Sequence, residues 1–382
     1  MANTNLQGIL GAFDNAAQVR NEIAVISINW FANRCPLVTR IPRLPVGSTT
    51  FSIVSRTYRS RSTTTGAAVA NNTVTSITLA DASPFMQGDI LELASGERVI
   101  VTADPDTTNN TVTVTRGYEG TTAAAQNNST TVYLIGNART GAEVNQTGTG
   151  YKPTAVTQQC QTFQHPVQIG GSMQAQTEFV TEPGVSTPFD QFKMDALQNL
   201  MDDMETSAYY ATGVAQASGN RPIMKGIKAL IASGNVTTSP TNAGAYKPTD
   251  LIRDTLEKAR TYGGNPDVLF VSPNFMTGFA TWGHAALRID SGTTAFGVPV
   301  KSFEAPFLEG ITVIEAPLLR PYTAFCLTSA EARMRMKRNE FWQPRGSRGD
   351  AYEGDWIAEG AIEVDNPAHH AWVSGITAFS AT

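Results

Sequence analysis

The stretch Thr187–Gln216, TPFDQFKMDALQNLMDDMETSAYYATGVAQ, carries the longest helix signal in the chain. Phe189, Phe192, Ala196, Leu200 and Met204 recur at the three-to-four spacing that places side chains on one helical face, and Leu197, Met201, Ala208 and Ala211 widen the stripe. Thr187, Pro188 and Asp190 form a start signal: a hydroxyl to accept from an orphan N–H, a proline with no N–H to lose, and an acid at the positive helix end. Gly219 and Pro222 close the element, so a spine helix over 187–218 is expected. Its length would be roughly 40 Å or more at about 1.5 Å per residue.

Outward from this helix the chain changes character in both directions. Before it, Ile77–Leu79, Ile90–Leu93, Arg98–Val101, Thr111–Thr115 and Thr131–Ile135 alternate and are separated by turn residues, which predicts a small barrel or sandwich. The flanks Ser62–Ala70 and Gly136–Gly150 are rich in Gly, Thr and Ala. Residues 77–136 therefore read as a domain inserted at the tip of a long two-stranded excursion that returns through Ala155–Ile169. Residues 1–45 read as an arm. In it Asn21–Ala32 is a helix or a buried strand, and Pro36, Pro42 and Pro45 break the rest into short extended pieces. Such a segment packs either on its own domain or on a neighbouring subunit.

After the spine, Thr249–Tyr262 and Pro273–Trp282 read as helices around a buried strand, Val268–Val271, which makes an α/β unit. Val298–Phe303, Ile311–Ile314 and Ala324–Thr328 are further strands. In Glu331–Arg338, Arg333, Arg335 and Lys337 alternate with Met334 and Met336, so a strand with one charged face follows. Phe341–Gly349 reads as a basic loop, and Glu353–Asp365 and Ala371–Ile376 as closing strands.

The 382 residues carry a formal charge of −5, unevenly spread. Arg20–Arg61 holds seven arginines and one glutamate, Ala330–Arg348 is basic, and Asp350–Asp365 holds six acids without Lys or Arg. Blocks of opposite sign pair either within a molecule or across an oligomer interface. Three scattered cysteines without C-x-x-C argue against a disulfide framework or a zinc site. The start lacks the features of a secretory leader, and no apolar run approaches a membrane span, so folding in the cytoplasm is expected.

The sequence carries few reactive constellations. His165, His284, His369 and His370 sit in no metal-ligand spacing, and adjacent His369 and His370 on a strand would face opposite ways. Asp202, Asp203 and Glu205 lack the Glu-x-x-His partners of a di-metal site and read, with Asp195, as the wet face of the spine. Nucleophile-elbow, phosphate-loop and dinucleotide fingerprints are absent from the sequence. The expectation is a protein without catalytic, cofactor or metal residues. A regular aromatic stacking series is also missing, so contact with nucleic acid would be non-specific, through the arm or the 333–348 segment.

Three stretches carry a family resemblance: PFMQGDILELASGERVIVTA with VTVTRGYEGTTAAA and VYLIG (84–103, 112–125, 132–136), KARTYGGNPDVLFVSPNFMTGFA (258–280), and YEGDWIAEGAIEVDNPAHHAWVSGI (352–376). In this order they resemble the major capsid proteins of tailed bacteriophages with the Hong Kong 97-type fold, in a branch with a β domain inserted in the extended loop. The resemblance implies an α+β fold and five parts. These are an N-terminal arm (1–45), an extended loop (46–186) carrying the insertion (77–136), a peripheral domain (187–221 and 331–382), and an axial domain (222–330). It implies hexamers and pentamers of an icosahedral head around double-stranded DNA, built in the host cytoplasm, with portal, separate scaffold and decoration proteins as partners. The scaffold is expected to be separate because the chain opens without a helical Glu/Lys-rich segment. The rival readings are a β-rich tail, fibre or surface-layer subunit and, more remotely, a carbohydrate-active enzyme. The candidate inter-subunit contacts are Trp30, Arg34, Arg40 and Arg43 on the arm, and Arg56, Arg59 and Arg61 on the excursion. On the spine they are Asp202, Asp203 and Glu205, and near the end Arg345, Arg348, Asp350, Glu353 and Asp355. The Arg56–Arg61 strand is expected to meet an acidic neighbouring surface.

Overall fold

The computed structural model describes residues 34–55, 59–139, 154–175, 187–217, 219–282, 302–305, 308–346 and 349–380. Trp30, Arg56, Arg348 and the Asn21–Ala32 element lie outside them. The chain forms two compact units, one of residues 1–54 and 155–382, the other of Ser55–Thr154.

In the larger unit the spine helix spans Pro188–Tyr210. Thr187 caps it as its sequence suggests: the hydroxyl accepts the Asp190 N–H at 3.2 Å and donates to the Asp190 carboxylate at 2.7 Å. The helix stops earlier than expected. Ala211 turns extended, and Thr212–Val214 pairs antiparallel with Ile223–Lys225. At 23 residues the helix is about 34 Å long. Leu200, Met204, Ala208 and Tyr209 are buried and share one core with Met334, Met336, Ala358 and Ile362. The early turns are more open, with Met194 about half exposed.

That core lies under a four-stranded sheet in the order Arg43–Pro45, Ala332–Arg345, Ala351–Val364, Gln161–Gly170. The two long strands form an antiparallel hairpin, so Phe341–Arg345 is strand, not the loop that its Pro and Gly neighbours suggest. Pro36 also behaves differently from expectation. It opens a short helix, Pro36–Arg40, where its missing N–H costs nothing, and Leu37 and Val38 are fully buried in the same core.

A six-stranded sheet runs Val236–Thr237, Ala371–Val373, Ala324–Leu327, Val268–Val271, Leu308–Glu315, Ser302–Ala305. Phe270, Phe325 and Trp372 stack in a column across it, with centroids 5.0 Å apart at each step. A second core gathers Leu251, Leu256 and Ala259 with Phe275, Phe279 and Trp282. The Pro248–Thr261 helix is continuous but widens to π geometry over Ile252–Glu257.

Gly226 lies directly against the end of the spine. Its N–H donates to the Ala211 carbonyl at 2.7 Å, and a Cβ there would stand 2.7 Å from the Ser207 oxygen and 2.9 Å from the Ala208 oxygen. Backbone cannot yield as a side-chain tip can. Gly226→Ala is expected to destabilise the larger unit by about 2–3 kcal/mol, read as a lowered unfolding midpoint. An unchanged midpoint would show that the junction flexes.

The smaller unit is a closed barrel. Its strands run in the order Ser62–Thr64, Thr131–Asn137, Asp89–Leu93, Arg98–Val101, Thr111–Tyr118, Ser76–Thr78. The two edges then meet: Thr65 bridges Leu79, the Gly66 N–H donates to the Thr78 carbonyl, and the Ala80 N–H to the Thr64 carbonyl. Closure leaves no long unpaired edge. Val99, Val101, Val112, Val114, Val132 and Leu134 alternate inward and fill the barrel with Leu91, Leu93 and Phe85.

Candidate functional site

Two charged clusters in the larger unit contain most of the candidate residues. The first ties the start of the described chain to the spine. Glu205 is fully buried and accepts the N–H groups of Leu37 at 2.9 Å and Val38 at 2.7 Å, together with the Tyr209 hydroxyl. Asp202 pairs with Arg34 at 3.0 Å and accepts the Cys35 thiol at 3.3 Å. Asp203 bonds His165 at 2.9 Å. Glu205 is thus not on a wet face: the Pro36–Arg40 helix covers it, and its carboxylate satisfies two otherwise orphaned donors. Burial pushes its carboxyl up, against hydrogen bonds from Tyr209, Val38 and Leu37 that pull it down. Burial likewise pushes the Cys35 thiol up, with the Asp202 hydrogen bond and the nearby acids adding to it, so this cysteine is not a reactive thiolate.

The second cluster is the long hairpin. Across it Arg333 pairs with Asp365 at 2.7 Å, Arg335 with Glu363, Lys337 and Arg338 with Glu359 at 3.3 and 2.9 Å, and Arg345 with Asp355. Arg43 on the neighbouring strand meets Glu340 at 2.8 Å. The described cations of 333–345 are therefore neutralised within the chain by four of the acids of 350–365. Asp355, Glu359 and Glu363 are buried under the longer cationic side chains. Glu353 accepts from Gln168 at 2.8 Å. The Asp350 carbonyl accepts the Gly171 N–H at 2.6 Å. In the barrel, Arg59 lies against the buried Asp89. Arg40 and Arg61 are exposed, and neither forms an ion pair among the described residues.

Sequence reasoning missed the barrel's own polar centre. Arg116, from TRGYEG, and Glu97, from SGERV, are a buried bidentate pair at 2.6 Å on both arms. Arg116 also donates to the carbonyls of Asn71, Val74 and Ala124, while Glu97 accepts the N–H groups of Gly117 and Ala124. The pair holds the 71–74 and 117–124 loops on the barrel. The family-like motif is thus a structural fastening.

The two adjacent histidines do not converge on a metal. His369 bonds Glu331 at 2.9 Å. His370 is fully buried; its Nδ1 accepts the Thr328 N–H at 3.2 Å and its Nε2–H donates to the Asp365 carbonyl at 3.0 Å, which fixes a neutral tautomer. Burial pulls His370 down to about 4, outweighing the attraction of Glu331. The unfolded chain therefore binds the extra proton between roughly pH 6.5 and 4. Stability is expected to fall across that window as pH drops, by about 3 kcal/mol at its lower end. Thermal unfolding against pH checks this, and His370→Gln should flatten that limb. Among the described residues no group of three or more His, Cys, Asp and Glu could hold a metal ion.

The fold has solved counterparts. It matches the holo-SrpI encapsulin complex from Synechococcus elongatus PCC 7942 at a TM-score of 0.51 and 10% identity, over 98% of each chain. The capsid of a native GTA particle matches at 0.52 and 9%, over 98% of this chain and 100% of that one. The Microbacterium phage Oxtober96 structure matches at 0.50 and 9%, over 96% and 99%. At such identity these likenesses define the fold, which is the Hong Kong 97-like fold of capsid subunits. No curated protein matches the sequence. The profile of the SU10 major capsid protein family matches residues 4–377, and the chain belongs to that family. Its function is structural: it is a major capsid protein, a component of the virion, whose copies self-assemble into an icosahedral shell. Family membership decides for the capsid over the fibre, tail and carbohydrate-enzyme readings.

Proposed function

We propose that copies of this chain form the hexamers and pentamers of a phage head that encloses double-stranded DNA and is assembled in the host cytoplasm. In this reading residues 1–45 are the arm and 46–186 the extended loop with the barrel as its insertion. Residues 187–221 with 331–382 are the peripheral domain, and 222–330 the axial domain. Portal, scaffold and decoration proteins are its partners. The observation that carries the reading is the family match across nearly the whole chain. The excursion supports the layout: Thr50–Ser55 leaves the larger unit paired with the returning Thr154–Gln159.

Inter-subunit contact would fall on candidates whose charge the chain does not already use. Among the described residues these are Arg40, Arg61, Asp350 and Glu353, which make no ion pair within the chain. Cryo-electron microscopy of assembled particles tests the proposal. Closed shells with both five-fold and six-fold clusters are expected, with Arg61 against carboxylates of a neighbour. Rods, sheets or isolated trimers under all assembly conditions would overturn it.

A further inference from the structure

The hairpin has the chain's densest run of cations, yet each described one faces a carboxylate. A phosphate there would have to displace an existing partner. The opposite situation holds at the end of the spine helix. Residues 206–249, 316–330 and 366–382 contain no Asp or Glu, although the whole chain is acidic. These three segments meet at one pair of rings. Tyr210 packs edge-on against Trp372 at 5.6 Å. The Arg320 guanidinium lies 4.4 Å over Tyr210, and the Tyr210 hydroxyl accepts the Arg320 backbone N–H at 2.7 Å. Lys228 Nζ stands 5.9 Å from the Trp372 ring. Lys225 ends the Ile223–Lys225 strand, opposite Thr212, and lays its methylenes along Gly213. Arg320 is exposed, and Lys225 and Lys228 are half-buried. None of the three forms an ion pair among the described residues. Burial pushes the Tyr210 hydroxyl up, and the backbone hydrogen bond and the charge of Arg320 pull against it.

We propose that Arg320 and Lys228 on the Tyr210–Trp372 ring pair, with Lys225 on the adjoining strand, form a contact site for the phosphate backbone of nucleic acid. The proposal rests on the reading that the shell encloses double-stranded DNA, and it assigns that contact to this patch instead of the hairpin. The cations are held by rings and by their own stems, so they are positioned without being neutralised. Binding a polyanion then releases counterions with no internal salt bridge to break. The side-chain amide beside them, Gln158, is buried and already bonded to the Lys225 N–H and to the Lys225 and Ile362 carbonyls, so it cannot read base edges and the contact is independent of sequence. An acidic surface on a second copy is the competing partner. Of the acids such a copy could offer, Asp89, Glu97, Asp202, Glu340, Asp355, Glu359, Glu363 and Asp365 are already in ion pairs and would have to give up a partner.

The test is fluorescence anisotropy of a labelled random-sequence duplex with the unassembled full chain over a salt series. The wild type should bind with an affinity that falls steeply with salt. Lys228→Gln with Arg320→Gln should weaken binding about tenfold and reduce the log–log salt slope by about 2, and Lys225→Gln alone by about 1. Arg338→Gln with Arg345→Gln, which removes only paired cations, should leave the slope unchanged. Equal binding and slope in wild type and the Lys228/Arg320 variant would overturn the proposal. So would a variant that binds duplex normally but no longer forms shells, which would give the patch to a second copy. Particles that contain no double-stranded DNA would instead defeat the reading of the shell's content, independently of the free subunit's binding.

Discussion

Glu97→Ala is expected to unfold the barrel ahead of the rest of the chain, with a loss of about 3–5 kcal/mol. Both ends of the Arg116–Glu97 pair are nearly dry, with side-chain exposures of 6% and 0%. Removing the acid leaves a buried guanidinium without its counter-charge and strips the acceptor from the N–H groups of Gly117 and Ala124. Each is costly in the absence of water. Because the chain has two units, a single midpoint would blur the effect. Hydrogen exchange over 55–154 and proteolysis within 71–74 and 117–124 are the direct readouts. Replacing both partners, Glu97→Leu with Arg116→Met, should recover much of the loss, since an apolar pair leaves no stranded charge. Unchanged protection in Glu97→Ala would show that the pair is ornamental. Burial pushes the Glu97 carboxyl up, but the hydrogen bonds from Arg116, Ala124 and Gly117 outweigh it and hold it below its ordinary value. This fastening is therefore intact at neutral pH and is lost only as pH falls through that depressed value.

Glu205→Ala should be comparably severe, at about 3–5 kcal/mol. It orphans the Leu37 and Val38 N–H groups and the Tyr209 hydroxyl, all in the main core. The expected signature is local: amide protection at Leu37 and Val38 collapses, and the Arg34–Ile41 segment becomes protease-sensitive while the barrel is untouched. Glu205→Gln keeps an acceptor oxygen and should cost clearly less than the alanine variant. Equal losses in the two would mean that packing volume, not the capping bonds, is what matters at this site.

The spine was legible because its information is local. Thr187, Pro188 and Asp190 act over three residues, and the stripe from Ala196 to Ala208 repeats every turn. The inward-facing valines of the barrel strands were legible for the same reason. What escaped the sequence depends on contacts between distant segments. Glu205 looks solvated beside Asp202 and Asp203, because the helix that buries it lies 167 residues earlier in the chain. Phe341–Arg345 looks like a loop because Pro344 and the following glycines are loop residues in isolation; with Gln343 opposite Asp355 and Pro344 opposite Gly354, the segment up to Arg345 is strand. The charge blocks were visible, but their self-neutralisation needed the hairpin register. Arg59 was expected to reach for a neighbour, and Asp89, thirty positions on in its own unit, takes it. The acid-free segments around Tyr210 are plain in the composition once the fold shows that they meet.

The barrel's closure has a consequence for how this chain could have acquired it and how it can be altered. A sheet whose first and last strands seal against each other exposes no adhesive edge, whatever host it is placed in. Its entrance and exit run as paired strands, so the host pays the closure entropy of a short loop and not that of a long flexible one. A module with these two properties is portable. Replacing it by foreign sequence between Ser55 and Thr154 is expected to leave the core of the larger unit folded.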